Sequence, residues 1–313
     1  MYRKYILRHI CFILLALSLV FTSFVLFAGA GSTDKKTSDD AVFLPIIMYH
    51  SLLKDQKLQN DYTISPALFE KDLKCLTSSG YTTVTVEDLI NYVYHGKNLP
   101  DKCIMLTFDD GCYNNYYYAY PLLKKYKCKA VISPIASMTE KFTQTQDISV
   151  SYGHISDDDI KEMVNSGYVE IQNHSYDMHT LTPRKGVSKK RSESPEDYKN
   201  AITSDITKAQ NYLENVTGKK PSCFVYPFGA KSNGTEEIVR GLGFVCTLTC
   251  TEEPNVITRD KESLFELGRY RRDGKESMEK LLGRIESSKK QGTVLTVPYT
   301  ACLLYTSPSP RDI

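Results

Sequence analysis

The chain has 313 residues, and its 39 lysine and arginine side chains are balanced by 37 aspartate and glutamate side chains. The resulting formal net charge of +2 gives no reason to expect binding to nucleic acid. The length suits one large domain with short flanking segments, and a hydrophobic content of 41% is typical of a globular protein.

The N-terminal segment has the pattern of a targeting sequence rather than of a folded domain. Basic residues at positions 3, 4 and 8 precede an apolar run over 10–30, which is long enough to span a bilayer as a helix. The run ends in Ala28-Gly29-Ala30, a small-residue pattern that a signal peptidase could cleave. We therefore predict a signal peptide or membrane anchor over 1–30, a polar linker over 31–40, and a protein that is secreted or held at the extracellular face of the membrane.

From residue 41 onward, short apolar or β-branched runs alternate with longer segments of helical periodicity. The predicted strands cover 44–50, 81–86, 103–108, 129–135, 168–172, 223–226, 244–248, 264–267 and 293–297. The predicted helices cover 66–79, 87–94, 113–127, 157–166, 195–216, 236–242 and 277–288, and 138–151 is predicted to be irregular. This alternation is typical of a parallel sheet with crossover helices, and about seven such units favour closure into a barrel.

Residues 41–300 are therefore predicted to form a single α/β domain. No glycine-rich phosphate loop follows a predicted strand, which argues against nucleotide binding. The last residues, 301–313, have neither strand nor helix periodicity and are predicted to be a non-native tail.

Two adjacent carboxylates, Asp109 and Asp110, follow the apolar run at 103–108 and precede Gly111. They are predicted to lie just past the carboxyl end of a buried strand, where ligands collect in parallel α/β folds. Because neighbouring carboxylates repel each other unless a cation or a proton separates their roles, we expect one to bind a metal and the other to accept a proton. The alternative is an Asp-Asp-Gly turn on the surface.

Two of the six histidines, His174 and His179, follow the predicted strand at 168–172. Their spacing is unsuitable for one metal on a regular helix, but in a loop the two imidazoles can converge. With Asp110 they make a set of two histidines and one carboxylate that leaves coordination positions open, as a catalytic metal requires. The alternative is a pair of solvent-exposed loop histidines.

Three short motifs, in order and at predicted strand ends, resemble those of the NodB-type polysaccharide deacetylases. They are TFDDG at 107–111, NHSYDMH at 173–179 and YPFG at 226–229, and the resemblance covers 44–300. It implies a distorted (β/α) barrel of about seven parallel strands in a single catalytic domain, with a divalent metal at the strand ends.

The resemblance also assigns roles to the carboxylates and histidines. Asp110, His174 and His179 are expected to hold the metal, with zinc as the first choice and cobalt, nickel or another divalent ion as alternatives. Asp109 is expected to be the general base that takes a proton from the attacking water. This assignment is chemically reasonable, because a bound divalent metal lowers the pKa of water and polarises the acetyl carbonyl.

The third motif is expected to contact the substrate, with the backbone N–H of Phe228 holding the oxyanion and Tyr226 in the same turn. Phe228 stands where the family often has tyrosine. The family also often has an arginine two residues before the proline of this motif, where this chain has Val225. Arg269 and Arg272 are the candidates to supply that charge from another strand end and to orient the base.

The general acid is expected at the first strand rather than the last. The family often carries a C-terminal Leu-x-His, but the corresponding end of this chain, VLTVPYT, has no histidine. Met48-Tyr49-His50 instead resembles a branch that includes exported poly-N-acetylglucosamine deacetylases, which carry Tyr-His at the N-terminal strand. We therefore predict His50 as the general acid, and the alternative is a core or surface histidine without a catalytic role.

Taken with the motifs, the resemblance predicts a metal-dependent hydrolase that removes N-acetyl groups from a cell-surface or extracellular amino-sugar polysaccharide, either an N-acetylglucosamine polymer or peptidoglycan. The polysaccharide is the predicted partner, and no protein partner is predicted. Two alternatives are kept open. One is an O-acetyl polysaccharide esterase on the same barrel, and the other is a non-catalytic glycan-binding protein.

Overall fold

The computed structural model describes residues 41–291. The predicted targeting segment at 1–30, the linker at 31–40, the last strand at 293–297 and the tail at 301–313 lie outside these residues. Between residues 41 and 291, no helix combines the length and the apolar character needed to cross a membrane.

Strands and helices alternate along the described chain. The strands are β1 (Val42–Leu44), β2 (Ile46–Tyr49), β3 (Ser51–Leu52), β4 (Thr63–Ile64), β5 (Thr82–Thr83), β6 (Cys103–Asp110), β7 (Ala130–Pro134), β8 (Val169–Ile171), β9 (Cys223–Val225), β10 (Cys246–Leu248), β11 (Asn255–Ile257) and β12 (Tyr270–Arg271). The helices are α1 (Pro66–Ser78), α2 (Val86–His95), α3 (Tyr120–Tyr126), α4 (Ala136–Thr145), α5 (Asp157–Asn165), α6 (Pro195–Thr217), α7 (Thr235–Gly241) and α8 (Met278–Gln291), with a π-helical turn at Asn115–Ala119 before α3.

Seven of the strands in the described residues close into a parallel ring. The pairing runs β12-β2-β6-β7-β8 in one continuous sheet, and β9 pairs in parallel with β10. Parallel bridges from Asn173 to Phe224 and from Leu248 to Leu267 join the two sets, and Leu267 lies shortly before β12. The architecture is therefore an α/β barrel with irregular closure on one side, as the sequence predicts.

The alternation of side chains along β6 decides which of them enter the barrel. Leu106 and Phe108 pack in the layer between the strands and the outer helices, where they join Phe69 of α1. Met105 faces the opposite way, into a core shared with β9 and β10. Because successive side chains of a strand point to opposite faces, Asp109 lies on the same face as Met105, at the end of the barrel interior.

One segment predicted to be irregular, 138–151, is helical in its first half, where it belongs to α4. Ala136, Thr139 and Phe142 are buried at helical spacing, so the helix has a side that faces the core. The start of α4 has no sequence signal, because Ile135 occupies the N-cap position and makes no side-chain cap hydrogen bond. The prediction for this half of the segment is therefore wrong.

Two predicted strands are also placed differently. The run at 81–86 is a strand only at β5, because Asp88 accepts a hydrogen bond from the backbone N–H of Thr85 at 2.9 Å and α2 starts there. The run at 264–267 begins within a 3-10 turn, Lys261–Leu264, and the regular strand comes later, as β12. In both cases a local cap or turn takes the place of part of the extended backbone that the apolar pattern indicates.

Candidate active site

Asp109 and Asp110 are the last two residues of β6, so they end the strand rather than follow it. Asp110 has a φ of 67°, in the left-handed region that is strained for a residue with a side chain. Gly111 follows with a φ of 69°, and a Cβ there would lie 2.6 Å from the Cβ of Pro134. A side chain at position 111 would therefore collide with Pro134, so glycine is required after the two carboxylates. Backbone strain of the kind seen at Asp110 is common at functional sites.

The carboxylate of Asp109 is buried and is held by Arg269. Nη1 of Arg269 donates to Oδ1 at 2.6 Å and Nη2 donates to Oδ2 at 2.8 Å, in the bidentate geometry that suits a guanidinium and a carboxylate. Burial opposes ionisation of Asp109, but the charge of Arg269 holds the pKa of this carboxyl below its usual value. Asp109 is therefore ionised at neutral pH and able to accept a proton.

Arg272, the other arginine considered as a partner for the base, lies elsewhere. Its Nε and Nη2 each donate to the carboxylate of Asp72 on α1 at 2.9 Å. Arg269 and Arg272 are three positions apart along an extended segment, so their side chains leave it on opposite faces. The structure therefore places Arg269, and not Arg272, against the carboxylate of Asp109.

The side chains of Asp110, His174 and His179 converge close to Asp109. One ligand atom from each lies within 4.8 Å of the others. Oδ1 of Asp110 is 3.2 Å from Nε2 of His179 and 3.5 Å from Nε2 of His174. The structure thus brings together the three residues that the sequence predicted as one metal-binding set.

This set fits a divalent cation. Nδ1 of His174 lies 2.7 Å from the backbone oxygen of Val225, so we assign the ring proton to Nδ1, and the lone pair of Nε2 is directed at Asp110. Oδ1 of Asp110 is buried without a hydrogen-bond partner among the described residues. Burial lowers the pKa of His179 to about 4, so its imidazole is neutral at pH 7, which is the form that binds a metal.

His50 directly follows β2 and faces Asp109. Its Nε2 lies 3.9 Å from Oδ2 of Asp109, and its ring packs edge-on against Tyr62 with 4.9 Å between centroids. The carbonyl oxygen of His50 accepts a hydrogen bond from Nδ2 of Asn115 at 2.7 Å. Asn115 lies outside the three motifs, and a contact between residues 65 positions apart has no local signal in the sequence.

The YPFG segment forms a 3-10 turn, Pro227–Gly229, after β9. Phe228 has a φ of 58°, and its ring lies 4.2 Å from the His179 ring between centroids, so this turn borders the metal-binding set. Tyr226 is fully buried and packs edge-on against Phe224. Contrary to the prediction, the side chain of Tyr226 is therefore not exposed for contact with a substrate, because the alternation along β9 directs it outward into the helix layer.

Comparison of the sequence with known proteins gives a consistent result. A family profile described as Polysaccharide deacetylase matches residues 96–247. YxkH of Bacillus subtilis is 28% identical over 232 residues, which are 73% of this chain and 71% of that protein. The poly-beta-1,6-N-acetyl-D-glucosamine N-deacetylase of Staphylococcus aureus is 29% identical over 185 residues, which are 58% of this chain but only 59% of that relative.

Solved structures agree with the fold. The structure of IcaB from Ammonifex degensii superposes with a TM-score of 0.63 at 26% identity, over 78% of this chain and 97% of that one. The deacetylase PplD of Streptococcus pyogenes superposes with a TM-score of 0.64 at 24% identity, over 78% of this chain and 98% of that one. These likenesses confirm the predicted fold class.

Proposed function

Because this chain belongs to the polysaccharide deacetylase family, we propose that it is a metal-dependent hydrolase that removes N-acetyl groups from an extracellular amino-sugar polysaccharide. The family prediction made from the three motifs is confirmed. The staphylococcal relative is named for poly-β-1,6-N-acetylglucosamine, so a polymer of N-acetylglucosamine is the first substrate to test, followed by peptidoglycan.

The main support for catalysis is the position of the metal-binding set next to Asp109. The metal-binding set of Asp110, His174 and His179 lies beside an ionised carboxylate, Asp109, whose two oxygens are held by Arg269. A protein that only binds glycans needs neither an open metal site nor an oriented base next to it. The arrangement therefore favours a hydrolase over the glycan-binding alternative.

Each residue of the site has its own role in the proposed hydrolysis. A bound divalent metal would lower the pKa of water and polarise the acetyl carbonyl. Asp109 takes the proton from the attacking water, and Arg269 keeps its carboxylate ionised and oriented. We assign the N–H of Phe228 to the oxyanion, because its turn borders the metal ligands. His50 gives a proton to the leaving nitrogen as the C–N bond breaks, and the products are acetate and a free amino sugar.

Zinc is the metal that we propose for this site. Two imidazoles and one carboxylate, with the remaining positions open, are a ligand set that catalytic zinc uses. The same nitrogen and oxygen donors accept cobalt or nickel, so either ion is expected to replace zinc in the isolated protein.

We further propose that the enzyme acts outside the cell. The support is the apolar run at 10–30 with basic residues before it, which predicts export, and the nature of the substrate named for the staphylococcal relative. A polymer of that kind is met at the cell surface or beyond it, so the enzyme and its substrate would share a compartment.

The test is acetate release from β-1,6- and β-1,4-linked N-acetylglucosamine oligomers by the full chain, before chelation, after chelation and after Zn²⁺ is added back. We expect release that depends on the metal and falls about 10²- to 10⁴-fold in Asp109→Asn, with metal binding retained. Release from O-acetylated xylan but from no amino sugar would favour the esterase alternative. Glycan binding without acetate release from any substrate would favour the binding protein.

A further inference from the structure

The loop that joins the two metal-binding histidines is held from outside the site by a carboxylate on α6. Oδ1 of Asp205 accepts the backbone N–H of Tyr176 at 2.8 Å, and Oδ2 accepts the N–H of Asp177 at 2.9 Å. Both oxygens of one carboxylate therefore bind two successive N–H groups of the loop. Tyr176 and Asp177 stand between His174 and His179, so these bonds act on the segment that sets the distance between the two imidazoles.

The start of α4 holds the same loop on another side. The N–H of Ala136 donates to the carbonyl oxygen of Ser175 at 3.2 Å, and the N–H of Ser137 donates to that of Tyr176 at 2.9 Å. The first N–H groups of a helix have no partner within it, and Ile135 makes no side-chain cap here. The loop carbonyls therefore serve as the cap of α4, which couples the position of the loop to that of the helix.

The side chain of Tyr176 lies between the same two helices. Its hydroxyl binds the carboxylate of Glu140 on α4, and the ammonium of Lys208 on α6 lies 3.6 Å from the ring centroid. Lys208 is three positions after Asp205, so one face of α6 supplies both contacts. The loop is thus fixed through its backbone and through one large side chain.

The loop needs this support because its own conformation is unfavourable. Ser175 has a φ of 72°, a left-handed conformation that only its surroundings can maintain. Asp205 lies on α6 between the buried residues Ile202 and Ala209, on the side of the helix that faces the core. A carboxylate on that side is unusual unless it has partners, and its partners here are the N–H groups of the loop.

We propose that Asp205 is a positioning residue that raises the affinity of the site for a divalent metal without touching the metal. It does so by holding His174 and His179 in the arrangement that converges on Asp110, so that little further ordering is needed when the metal binds. The inference rests on the proposed metal-dependent function and adds to it a residue outside the three motifs.

The test uses the full chain, freed of metal by chelation and titrated with Co²⁺, whose visible absorption reports the geometry of the ligands. Asp205→Asn retains one acceptor oxygen and Asp205→Ala retains none. We expect the Kd for Co²⁺ to rise about tenfold in the first and further in the second, with a changed absorption spectrum. At a fixed low metal concentration kcat/KM should fall in the same order, and added metal should reduce the loss.

Asp159→Asn is the matched control. Asp159 accepts the backbone N–H of Ser156 at 2.8 Å at the start of α5, so its substitution weakens a comparable contact in which the histidine loop takes no part. We expect this variant to lower the Tm of the metal-free protein but to keep the wild-type Kd and spectrum.

Two outcomes would overturn the assignment of Asp205. One is a wild-type Kd and spectrum in both Asp205 variants, and the other is an equal rise of the Kd in Asp159→Asn. A wild-type chain that binds no Co²⁺ would instead reject the metal site itself, and with it the proposed function. Should Asp205→Ala fail to fold, Asp205→Asn decides the question alone.

Discussion

Arg269 holds both carboxylate oxygens of Asp109 although the two residues are 160 positions apart in the chain. Arg269 is itself fixed, because its Nε donates to the carbonyl oxygen of Thr249 at 2.7 Å and its side chain is fully buried. The carboxylate of Asp109 therefore has one orientation, and Nε2 of His50 lies 3.9 Å from its Oδ2.

Arg269→Lys should lower activity more than stability. Lysine keeps the positive charge but cannot make two parallel bonds to one carboxylate, so Asp109 loses its fixed orientation. We expect kcat/KM for acetate release to fall about 10²-fold, as a displacement of the order of 1 Å at a reacting group can cause. Steady-state kinetics at saturating metal measure the effect.

Arg272→Lys is the matched control for that experiment. Arg272 makes a buried bidentate pair of the same kind with Asp72, so its substitution weakens an equivalent contact away from the base. We expect a similar loss of thermal stability in the two variants but near wild-type kcat/KM in Arg272→Lys. Equal kinetic losses would mean that both arginines act only through stability.

His50→Gln should lower the rate of amide hydrolysis more than the rate of ester hydrolysis. The nitrogen that leaves from an N-acetyl group needs a proton, whereas the oxygen that leaves from an ester needs less help. We expect kcat for an N-acetyl substrate to fall about 10²-fold or more, and kcat for an activated acetate ester to change far less. His95→Gln, at an exposed position on α2, is the control and should match the wild type. Equal losses on both substrates would contradict the role of His50 as general acid.

Metal should stabilise the fold through Asp110 but not through Asp109. A ligand that binds only the folded state adds about 2.7 kcal/mol when it is present at 100 times its Kd. We expect Zn²⁺ to raise the Tm of the wild type and of Asp109→Asn, and to have little effect on Asp110→Ala, which lacks one of the three donors. Thermal unfolding with and without a chelator gives the answer, and a metal-induced rise in Asp110→Ala would remove Asp110 from the ligand set.

Gly186→Ala should disturb the turn that carries Phe228. Gly186 has a φ of 52°, and a Cβ there would lie 2.5 Å from the carbonyl oxygen of Pro227. Gly218 also has a positive φ, 71°, but a Cβ there would meet no atom within 4 Å. We expect both alanine variants to lose about 1–2 kcal/mol from backbone strain, and only Gly186→Ala to lose about 10-fold or more in kcat. Chemical denaturation and acetate release measured on the same samples distinguish the two effects.

The loop over 181–193 should be stabilised by an ion pair that depends on pH. Nη1 of Arg184 donates to Oε2 of Glu193 at 3.0 Å, and the hydrogen bonds from Arg184 lower the pKa of Glu193. A carboxyl with a depressed folded-state pKa adds stability above its unfolded pKa of about 4.3 and loses it as the pH falls through the folded-state value.

Glu193→Gln should therefore have a lower Tm than the wild type at pH 7, and the difference should close as the pH falls below about 4. Thermal unfolding at neutral and acidic pH measures this difference. A gap of the same size at both pH values would show that the ionisation of Glu193 is not its source. Glu196→Gln, an exposed substitution nearby, is the control and should follow the wild type at each pH.

Much of the local structure can be predicted from the sequence because its signals lie within a few residues. Each of the three helices predicted to begin after a serine does so. Ser65, Ser156 and Ser194 are the N-caps, and each side chain accepts the backbone N–H of the residue three positions later. The strand ends that carry Asp109, Asp110 and the two histidines follow equally from short apolar runs and the polar residues after them.

By itself, the sequence determined the three motifs, the α/β barrel and the set of Asp110, His174 and His179, because motifs at parallel strand ends must meet at one edge of the barrel. Only the tertiary structure decided between Arg269 and Arg272, since that choice depends on which face of an extended segment turns inward. It also revealed α4 and Asp205, whose partners are backbone groups of a distant loop. Such contacts leave no periodic signal in the chain, because they form only when the barrel brings separate segments together.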